Sequence, residues 1–250
     1  MRNELNLWVA GGDMRQAKLA ELLAADGHTV HAYALERLGA LDGVEMEESL
    51  EGAALADCVV LPLPAAGEGS LLNAPLSGRK HPLALVLDAL RPGQVICAGM
   101  VGPQTAALAA DRGLTLHDYF AREELAVANA VPTAEGAVQV AMEELPFTLH
   151  SARVLILGFG RVGKLTAHRM GALGAKVTVS AQGYEDLAWA AAYGHETGRL
   201  ETLSCELGGF DLIVNTIPAQ VLDRRRLQWV NPGAFLLDLA SAPGGVDRAA

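Results

Sequence analysis

The stretch that decides the fold is Val154-Leu155-Ile156-Leu157-Gly158-Phe159-Gly160-Arg161-Val162-Gly163, an apolar run followed by the pattern Gly-x-Gly-x-x-Gly. Residues 153–157 are typical of a buried parallel strand, and residues 164–173, which end before Gly174, have the apolar spacing of a helix. In such a unit the first glycine permits a tight turn, the second lets the backbone approach a pyrophosphate, and the third lets the helix pack on its strand. The stretch therefore predicts a dinucleotide site at the helix N-terminus, with a plain βαβ unit as the alternative.

Strands and helices alternate on both sides of this stretch. We expect strands at residues 5–10, 28–33, 57–61, 94–98, 114–117, 176–179, 211–215 and 234–239, and helices at residues 14–25, 83–90 and 104–112. This alternation is typical of parallel sheets, and five strands before residue 120 fit a flavodoxin-like unit. The predicted fold is α/β with two domains and a cleft between them. A flavodoxin-like parallel sheet occupies residues 1–120, and a Rossmann dinucleotide-binding domain occupies residues 151–250.

A long helical stretch is expected to connect the two domains over residues 121–150. Pro132 interrupts it, and a proline disfavours the helical conformation of the residue before it, here Val131. We therefore expect a break or kink at this point. Thr133 and Glu135 would then either cap the second helix or face a substrate.

Charge and cysteine content exclude several classes of function. The chain has 29 acidic and 19 basic residues and a net charge of −10, without a basic block, which argues against binding to nucleic acid or to an anionic membrane surface. Cys58, Cys97 and Cys205 are far apart and show no metal-ligand spacing, so we expect no metal site and a reducing compartment. Neither a membrane span nor a signal peptide is apparent, and a cytoplasmic protein is expected.

The residues after the next strand bear on the type of cofactor. Ser180-Ala181-Gln182 stands where NAD sites usually carry a carboxylate that binds the ribose hydroxyls, and no carboxylate occurs before Glu185. Hydroxyl and amide donors tolerate a 2′-phosphate, so NADP is favoured and NAD is the alternative. No arginine stands in this triplet to support the choice.

Two later segments follow strands at the same predicted edge of the sheet. They are Asn215-Thr216-Ile217-Pro218 and Asp238-Leu239-Ala240-Ser241. The carboxyl ends of parallel strands line the ligand crevice in folds of this type, so both segments are candidates for cofactor contact. Turn chemistry explains the same residues equally well, and the two interpretations are compatible.

The end of the first strand carries a second polar segment, Gly11-Gly12-Asp13-Met14-Arg15-Gln16. Asp13 as an N-cap explains the turn into the following helix. Arg15 is harder to explain, because a cation in the first helical turn opposes the helix dipole. A carboxylate ligand would offset that cost.

In combination, these motifs resemble the A-subunit family of dipicolinate synthase. The segments that carry the resemblance are residues 12–13 with 15–16, 122–124, 129–136, 158–163, 215–218, and 238–241 with 243–245, in this order and nearly end to end. The resemblance implies NADP-linked oxidation and dehydration of 4-hydroxy-tetrahydrodipicolinate to dipicolinate, in the mother cell of a sporulating bacterium. It also implies a B-subunit partner with a flavoprotein-like fold, and we expect a homo-oligomer. The family continues beyond the position of Ala250, so we expect either a truncated chain or a chain without the closing helical element.

If the substrate is a dicarboxylate, the polar residues of the segments named above can be assigned to substrate binding and to proton acceptance. Arg15 and Arg122 are predicted to bind the carboxylates, because guanidinium makes bidentate contacts, and Gln16 and Thr133 to contact the substrate. Asp13 or Glu135 would accept the proton, with Glu135 favoured because it follows the expected helix break.

Two other functions are considered. A 2-hydroxy-acid dehydrogenase has the same layout but needs a late histidine paired with a carboxylate and an arginine for the substrate carboxylate. Here the last histidine is His195, and no Arg-Gly follows Asp238. A nucleotide-sensing module without catalysis would not need a second α/β domain with its own polar edge.

Overall fold

Alternating strands and helices fold this chain into two α/β units. The computed structural model describes residues 4–205, 207–241, 243–247 and 249. The units are Met1–Leu125 and Ala126–Ala250. Each contains one sheet in which every strand pair is parallel, so the predicted fold class is confirmed.

The first unit has a six-stranded sheet in the order β3-β2-β1-β4-β5-β6. Its strands are β1 (Asn6–Ala10), β2 (Thr29–Tyr33), β3 (Val44–Glu47), β4 (Cys58–Val60), β5 (Val95–Ala98) and β6 (Leu116–Asp118), and its helices are α1 (Met14–Ala25), α2 (Leu83–Asp88) and α3 (Pro103–Ala110). The edge strand β3 is short and half acidic, and the sequence pattern does not predict it. Without β3 the order is that of flavodoxin; with it the order is that of the six-stranded dinucleotide fold.

The second unit has a five-stranded sheet in the order β11-β10-β7-β8-β9. Its elements are α4 (Glu123–Glu144, which begins just before the unit boundary), β7 (Arg153–Leu157), α5 (Arg161–Ala172), β8 (Lys176–Ala181), α6 (Tyr184–Ala192), β9 (Glu196–Arg199), β10 (Leu212–Asn215), α7 (Arg224–Leu227) and β11 (Phe235–Asp238). Helix α6 and strand β9 were missed by sequence analysis. The apolar strands β7 and β10 are buried at the centre of the sheet.

Short 3₁₀ segments connect these elements. They are Glu36–Leu38, Ala53–Leu55, Glu68–Ser70, Tyr119–Ala121, Leu200–Cys205 and Leu207–Gly209. No helix in the described ranges combines the length and hydropathy needed to cross a bilayer.

Helix α4 runs without interruption through Pro132, so the predicted break is wrong, whereas the alternative of a kink stays a prediction. An internal proline removes one backbone hydrogen bond and costs about 3 kcal/mol. Alanines at helical spacing are buried along α4, and Ala137 and Ala141 pack into the core of the second unit. Burial of this face offsets the local cost of the proline, as is usual for amphipathic helices.

The continuous helix changes the interpretation of Thr133 and Glu135. Both residues lie in the helix interior, so neither is a cap and Glu135 does not follow a break. The Thr133 hydroxyl lies 3.5 Å from the carbonyl oxygen of Asn129, one turn earlier.

Candidate functional site

The site is built at the carboxyl edge of the second sheet, where the strand order reverses. Strand β7 lies between β10 and β8, and the chain leaves β7 towards one side and β10 towards the other. Such a switch point opens a crevice for ligands. The two turns are tied together there, because the Thr216 hydroxyl and backbone N–H both donate to the carbonyl oxygen of Leu157, at 2.8 and 2.9 Å.

The three glycines of the turn differ in what a side chain would meet at each position. Gly158 has φ +90°, and a Cβ there would lie 2.6 Å from the Thr216 hydroxyl oxygen. A Cβ on Gly163 would collide with the carbonyl oxygen of Gly158. Gly160 is extended, with φ −74°, and a Cβ added there meets nothing within 4 Å. The fold therefore requires the first and third glycines, whereas the second leaves open space beside the backbone.

The start of helix α5 suits a phosphate group. Gly160 is the N-cap and offers no side chain to the N–H groups of the first turn. These groups carry the positive end of the helix dipole. Arg161 and Val162 form the first turn, and Arg161 is exposed. Open space, the backbone N–H groups of the first turn and a cation at one point fit the pyrophosphate of a dinucleotide.

Phe159 contributes its backbone alone to this turn. Its side chain is 2 % exposed and packs among Tyr193 and His195, with ring centroids 6.4 and 6.3 Å away. The ammonium of Lys164 lies 5.6 Å from the ring centroid. The aromatic ring thus anchors the glycine turn to the helices behind it.

The segments after β10 and β11 are joined by hydrogen bonds of buried polar groups. The Asn215 amide donates to the Asp238 carboxylate at 2.8 Å and to the carbonyl oxygen of Ile217 at 3.0 Å. Asp238 also accepts from the backbone N–H groups of Gly245 and Ala240, at 2.9 and 3.2 Å. Burial opposes ionisation, yet the hydrogen bonds from Asn215, Gly245 and Ala240 hold the pKa of Asp238 below its usual range. The turn-chemistry interpretation is thus correct for Asn215.

The remaining predicted residues of these segments are less buried. Thr216, Ile217, Leu239 and Ala240 are half-buried at the edge of the sheet, and Pro218 is exposed. They are therefore accessible to a ligand lying across the carboxyl ends of β10 and β11.

On the other side of the switch point, strand β8 ends at the triplet that bears on cofactor type. Ser180 is fully buried, and its hydroxyl oxygen forms no hydrogen bond in the described residues. Ala181 is buried and Gln182 is exposed. Strand β9 places Arg199 beside Ala181 in the parallel register. Sequence analysis missed Arg199, because Glu-Thr-Gly-Arg carries no strand signal and only the pairing brings it to this edge.

In the first unit, Asp13 and Arg15 form an ion pair. Asp13 caps α1 by accepting from the Arg15 backbone N–H at 2.9 Å, and the Arg15 guanidinium donates to both carboxylate oxygens, with a shortest distance of 2.8 Å. The hydrogen bond from Arg15 lowers the pKa of Asp13. Asp13 itself therefore offsets the cost of a cation in the first turn, without a ligand.

Gln16 holds the adjacent strand end. It is 6 % exposed, and its amide donates to the carbonyl oxygen of Leu61 at 3.1 Å and to the Tyr119 hydroxyl at 3.2 Å. The Tyr119 hydroxyl donates to the same carbonyl at 3.1 Å. Arg122 is exposed and donates to Glu124 at 2.9 Å. In the second unit, exposed Glu135 lies 3.4 Å from the guanidinium of Arg169.

The described residues contain one group of metal-ligating side chains, which sequence analysis did not predict. The ligand atoms of His31, Glu45 and Glu47 lie within 4.8 Å of one another. His31 Nδ1 is 2.8 Å from Glu47, so hydrogen bonding accounts for this arrangement. Cys58 and Cys97 lie on neighbouring strands with sulfurs 4.0 Å apart, and the side chain of Cys205 lies outside the described part of the structure.

Comparison with known families assigns both units. The model of the N-terminal domain of the dipicolinate synthase A subunit matches residues 6–120. The model of the D-isomer specific 2-hydroxyacid dehydrogenase NAD binding domain matches residues 104–249. The second match identifies a nicotinamide dinucleotide-binding domain and supports an oxidoreductase.

Individual relatives are similar in sequence and structure to this protein over nearly the whole chain. The dipicolinate synthase A subunit of Bacillus subtilis (strain 168) is 29% identical over 99% of this chain and 84% of that protein. The crystal structure of the Bacillus subtilis protein has a TM-score of 0.84, at 28% identity, over 99% of this chain and 84% of that one. The crystal structure of the dipicolinate synthase A subunit from Bacillus halodurans has a TM-score of 0.87, at 30% identity, over 98% of this chain and 86% of that one. The chain therefore belongs to the A-subunit family of dipicolinate synthase.

Proposed function

We propose that this protein oxidises and dehydrates 4-hydroxy-tetrahydrodipicolinate to dipicolinate, with NADP as the hydride acceptor. The observation that carries the proposal is the open position over Gly160 at the switch point of the second sheet, in a chain of this family. NADP is preferred to NAD because Ser180-Ala181-Gln182 places no carboxylate at the end of β8.

The reaction balances simply. The substrate loses one water, one hydride and one proton, and the product is an aromatic dicarboxylate. The nicotinamide, when bound, supplies the hydride acceptor. The backbone N–H groups at the start of α5 bind the pyrophosphate, and Ile217, Pro218, Leu239 and Ala240 are assigned to the nicotinamide half. The protein must also hold two carboxylates and accept the proton.

Arg15 and Arg122 are assigned to the substrate carboxylates. Each forms an exposed ion pair, with Asp13 and Glu124 respectively. Exposed pairs of this kind are worth about 0–1 kcal/mol, so a substrate carboxylate replaces the internal partner at little cost. Thr133 is assigned a hydrogen bond to the substrate.

Gln16 is proposed in a different role. Its amide is engaged with Leu61 and Tyr119 inside the first unit. We assign it to positioning the start of α1, and with it Arg15.

Glu135 is the preferred proton acceptor. The Arg15 hydrogen bond lowers the pKa of Asp13 and so weakens it as a base. Glu135 is exposed, and among the described residues its ion pair is the long 3.4 Å contact with Arg169. Of the two carboxylates, it is the one that can take up a proton without breaking a close ion pair.

The assembly is proposed from the family to which the chain belongs. A family of A subunits implies a second kind of chain, and we assign a B subunit to this protein as its partner, together with self-association. We assign the reaction to the mother cell of a sporulating bacterium, as the resemblance to the family implies.

The deciding experiment follows NADPH formation by absorbance, with freshly prepared 4-hydroxy-tetrahydrodipicolinate. We expect NADPH to form when the B subunit is present, and dipicolinate to accumulate in equal amount. No NADPH formation when both proteins are present and NADP is bound would refute the proposed reaction.

The 2-hydroxy-acid dehydrogenase alternative loses support from the position of His195. This residue precedes β9, at the amino-terminal edge of the sheet, and its ring packs on Phe159. The glycine turn begins at the opposite edge, and the contact is made by the buried side chain of its residue Phe159. The backbone of His195 thus lies away from the carboxyl ends of the strands, where the cofactor is proposed to bind, and this disfavours His195 as the proton acceptor.

A further inference from the structure

Arg199 is the last residue of strand β9. In the parallel register Arg199 pairs with Ala181, the last residue of β8. The end of β8 is where folds of this class distinguish the ribose of NAD from the phosphorylated ribose of NADP. Sheet pairing thus supplies a guanidinium to a triplet that has no cation of its own.

Arg199 is held by two neighbours. Its guanidinium lies 4.8 Å from the ring centroid of Tyr184, the first residue of α6, and donates from Nη1 to the Tyr184 hydroxyl. Its Nε donates to Glu201 at 3.0 Å. The side chain is 43 % exposed, and no hydrogen bond from Nη2 is formed within the described ranges of the chain. The group is positioned and still accessible.

We propose that Arg199 binds the 2′-phosphate of NADP, and that Glu201 limits this binding by pairing with the same guanidinium. The proposal rests on the proposed function and deepens it. A phosphomonoester carries nearly two negative charges near neutral pH and accepts several hydrogen bonds. Guanidinium recognises it through parallel N–H donors, which a lysine cannot reproduce.

The ion pair between Arg199 and Glu201 determines how strongly NADP is preferred to NAD. Both side chains are nearly half exposed, at 43 % and 47 %, and exposed ion pairs are weak. A phosphate dianion therefore competes successfully with Glu201 for Arg199. NAD brings no phosphate to this position, so its binding leaves the pair intact.

The test compares NADP and NAD binding by titration calorimetry with the full chain. We expect Arg199→Ala to weaken NADP binding roughly 10- to 100-fold, the loss of a charge-assisted hydrogen bond, and to change NAD binding less than about threefold. Arg199→Lys keeps the charge but loses the parallel N–H donors of guanidinium. Its NADP affinity should lie between those of the parent and Arg199→Ala. The matched control is Arg153→Ala, which removes an exposed arginine from its ion pair with the half-buried Asp211 at the opposite edge of the same sheet. It should change neither affinity.

Two further measurements separate the outcomes. Glu201→Gln should tighten NADP binding, and adenosine 2′-monophosphate, which lacks the pyrophosphate, should bind the parent protein and not Arg199→Ala. If Arg199→Ala weakens NADP and NAD equally, or Glu201→Gln weakens NAD alone, the inference is wrong while the proposed function stands. If the parent protein binds neither dinucleotide, both fail.

Discussion

Replacing Gly160 by alanine separates the cofactor site from the fold. The glycine is extended, with φ −74°, and its added Cβ meets nothing within 4 Å. Alanine is therefore tolerated by the backbone and by the packing. At such a position Gly→Ala even stabilises a protein by about 0.4–1 kcal/mol, because the unfolded chain loses freedom.

The same methyl group occupies the space assigned to the pyrophosphate. If it displaces the phosphate from one or two backbone N–H groups, each lost charge-assisted hydrogen bond costs about 1.5–3 kcal/mol. One such bond corresponds to roughly 10- to 100-fold weaker binding. We expect NADP and NAD to weaken alike, since both carry the pyrophosphate.

Gly158→Ala is the matched control for damage to the fold. Its φ is +90°, and the new Cβ would lie 2.6 Å from the Thr216 hydroxyl oxygen and 2.8 Å from Ile217 Cγ1. Strained backbone and overpacking each cost about 1–3 kcal/mol. Gly158→Ala should therefore melt several degrees below the parent, since about 1 kcal/mol corresponds to about 2–4 °C at this size.

The assay measures melting without cofactor and binding by calorimetry for both variants. Gly160→Ala should melt at the parent's temperature or up to about 4 °C above it, and should bind both dinucleotides poorly. If it melts as low as Gly158→Ala, the alanine Cβ collides with neighbouring atoms and the space over Gly160 is not open. If it melts and binds like the parent, the glycine turn does not hold the pyrophosphate.

Three other changes test the remaining assignments. Arg15→Lys should chiefly raise KM, because lysine keeps the charge and loses the fork, and an unchanged KM would place the carboxylate elsewhere. Glu135→Gln should chiefly lower kcat with NADP affinity unchanged, whereas turnover at the parent rate would exclude it as the base. The Arg153 hydrogen bond lowers the pKa of Asp211, so this contact stabilises the fold above the usual carboxyl pKa of about 4 and is lost as pH falls through the lower folded value. Melting curves should show Asp211→Asn losing less stability than the parent between about pH 4 and pH 2, and parallel losses would contradict the argument.

Strongly patterned elements were predictable from sequence. Strand β7 and helix α1 have the predicted bounds, because an uninterrupted apolar run and an Asp N-cap each specify local structure. Strands β3 and β9 were missed, because each is a four-residue strand rich in polar residues. Their place in a sheet is decided by a neighbouring strand and not by their own sequence.

The break predicted at Pro132 failed for a related reason. A local rule about proline competes with burial of the alanines along α4, and the tertiary term is larger in this helix. The inference about Thr133 and Glu135 as caps depended on that rule and failed with it.

The residues of the candidate site also divide into those set by local sequence and those set by the pairing of strands. Gly-x-Gly-x-x-Gly is contiguous in the chain, so a role for each glycine can be predicted from the motif alone. Arg199 lies 18 positions after Ala181 in the chain, and only the β8–β9 register makes the two residues neighbours. A search for a cation limited to the end of β8 therefore finds none, although the sheet places one there. With the role proposed for Arg199, cofactor preference depends on adjacent strand ends, and its residues have to be sought across the sheet as well as along the chain.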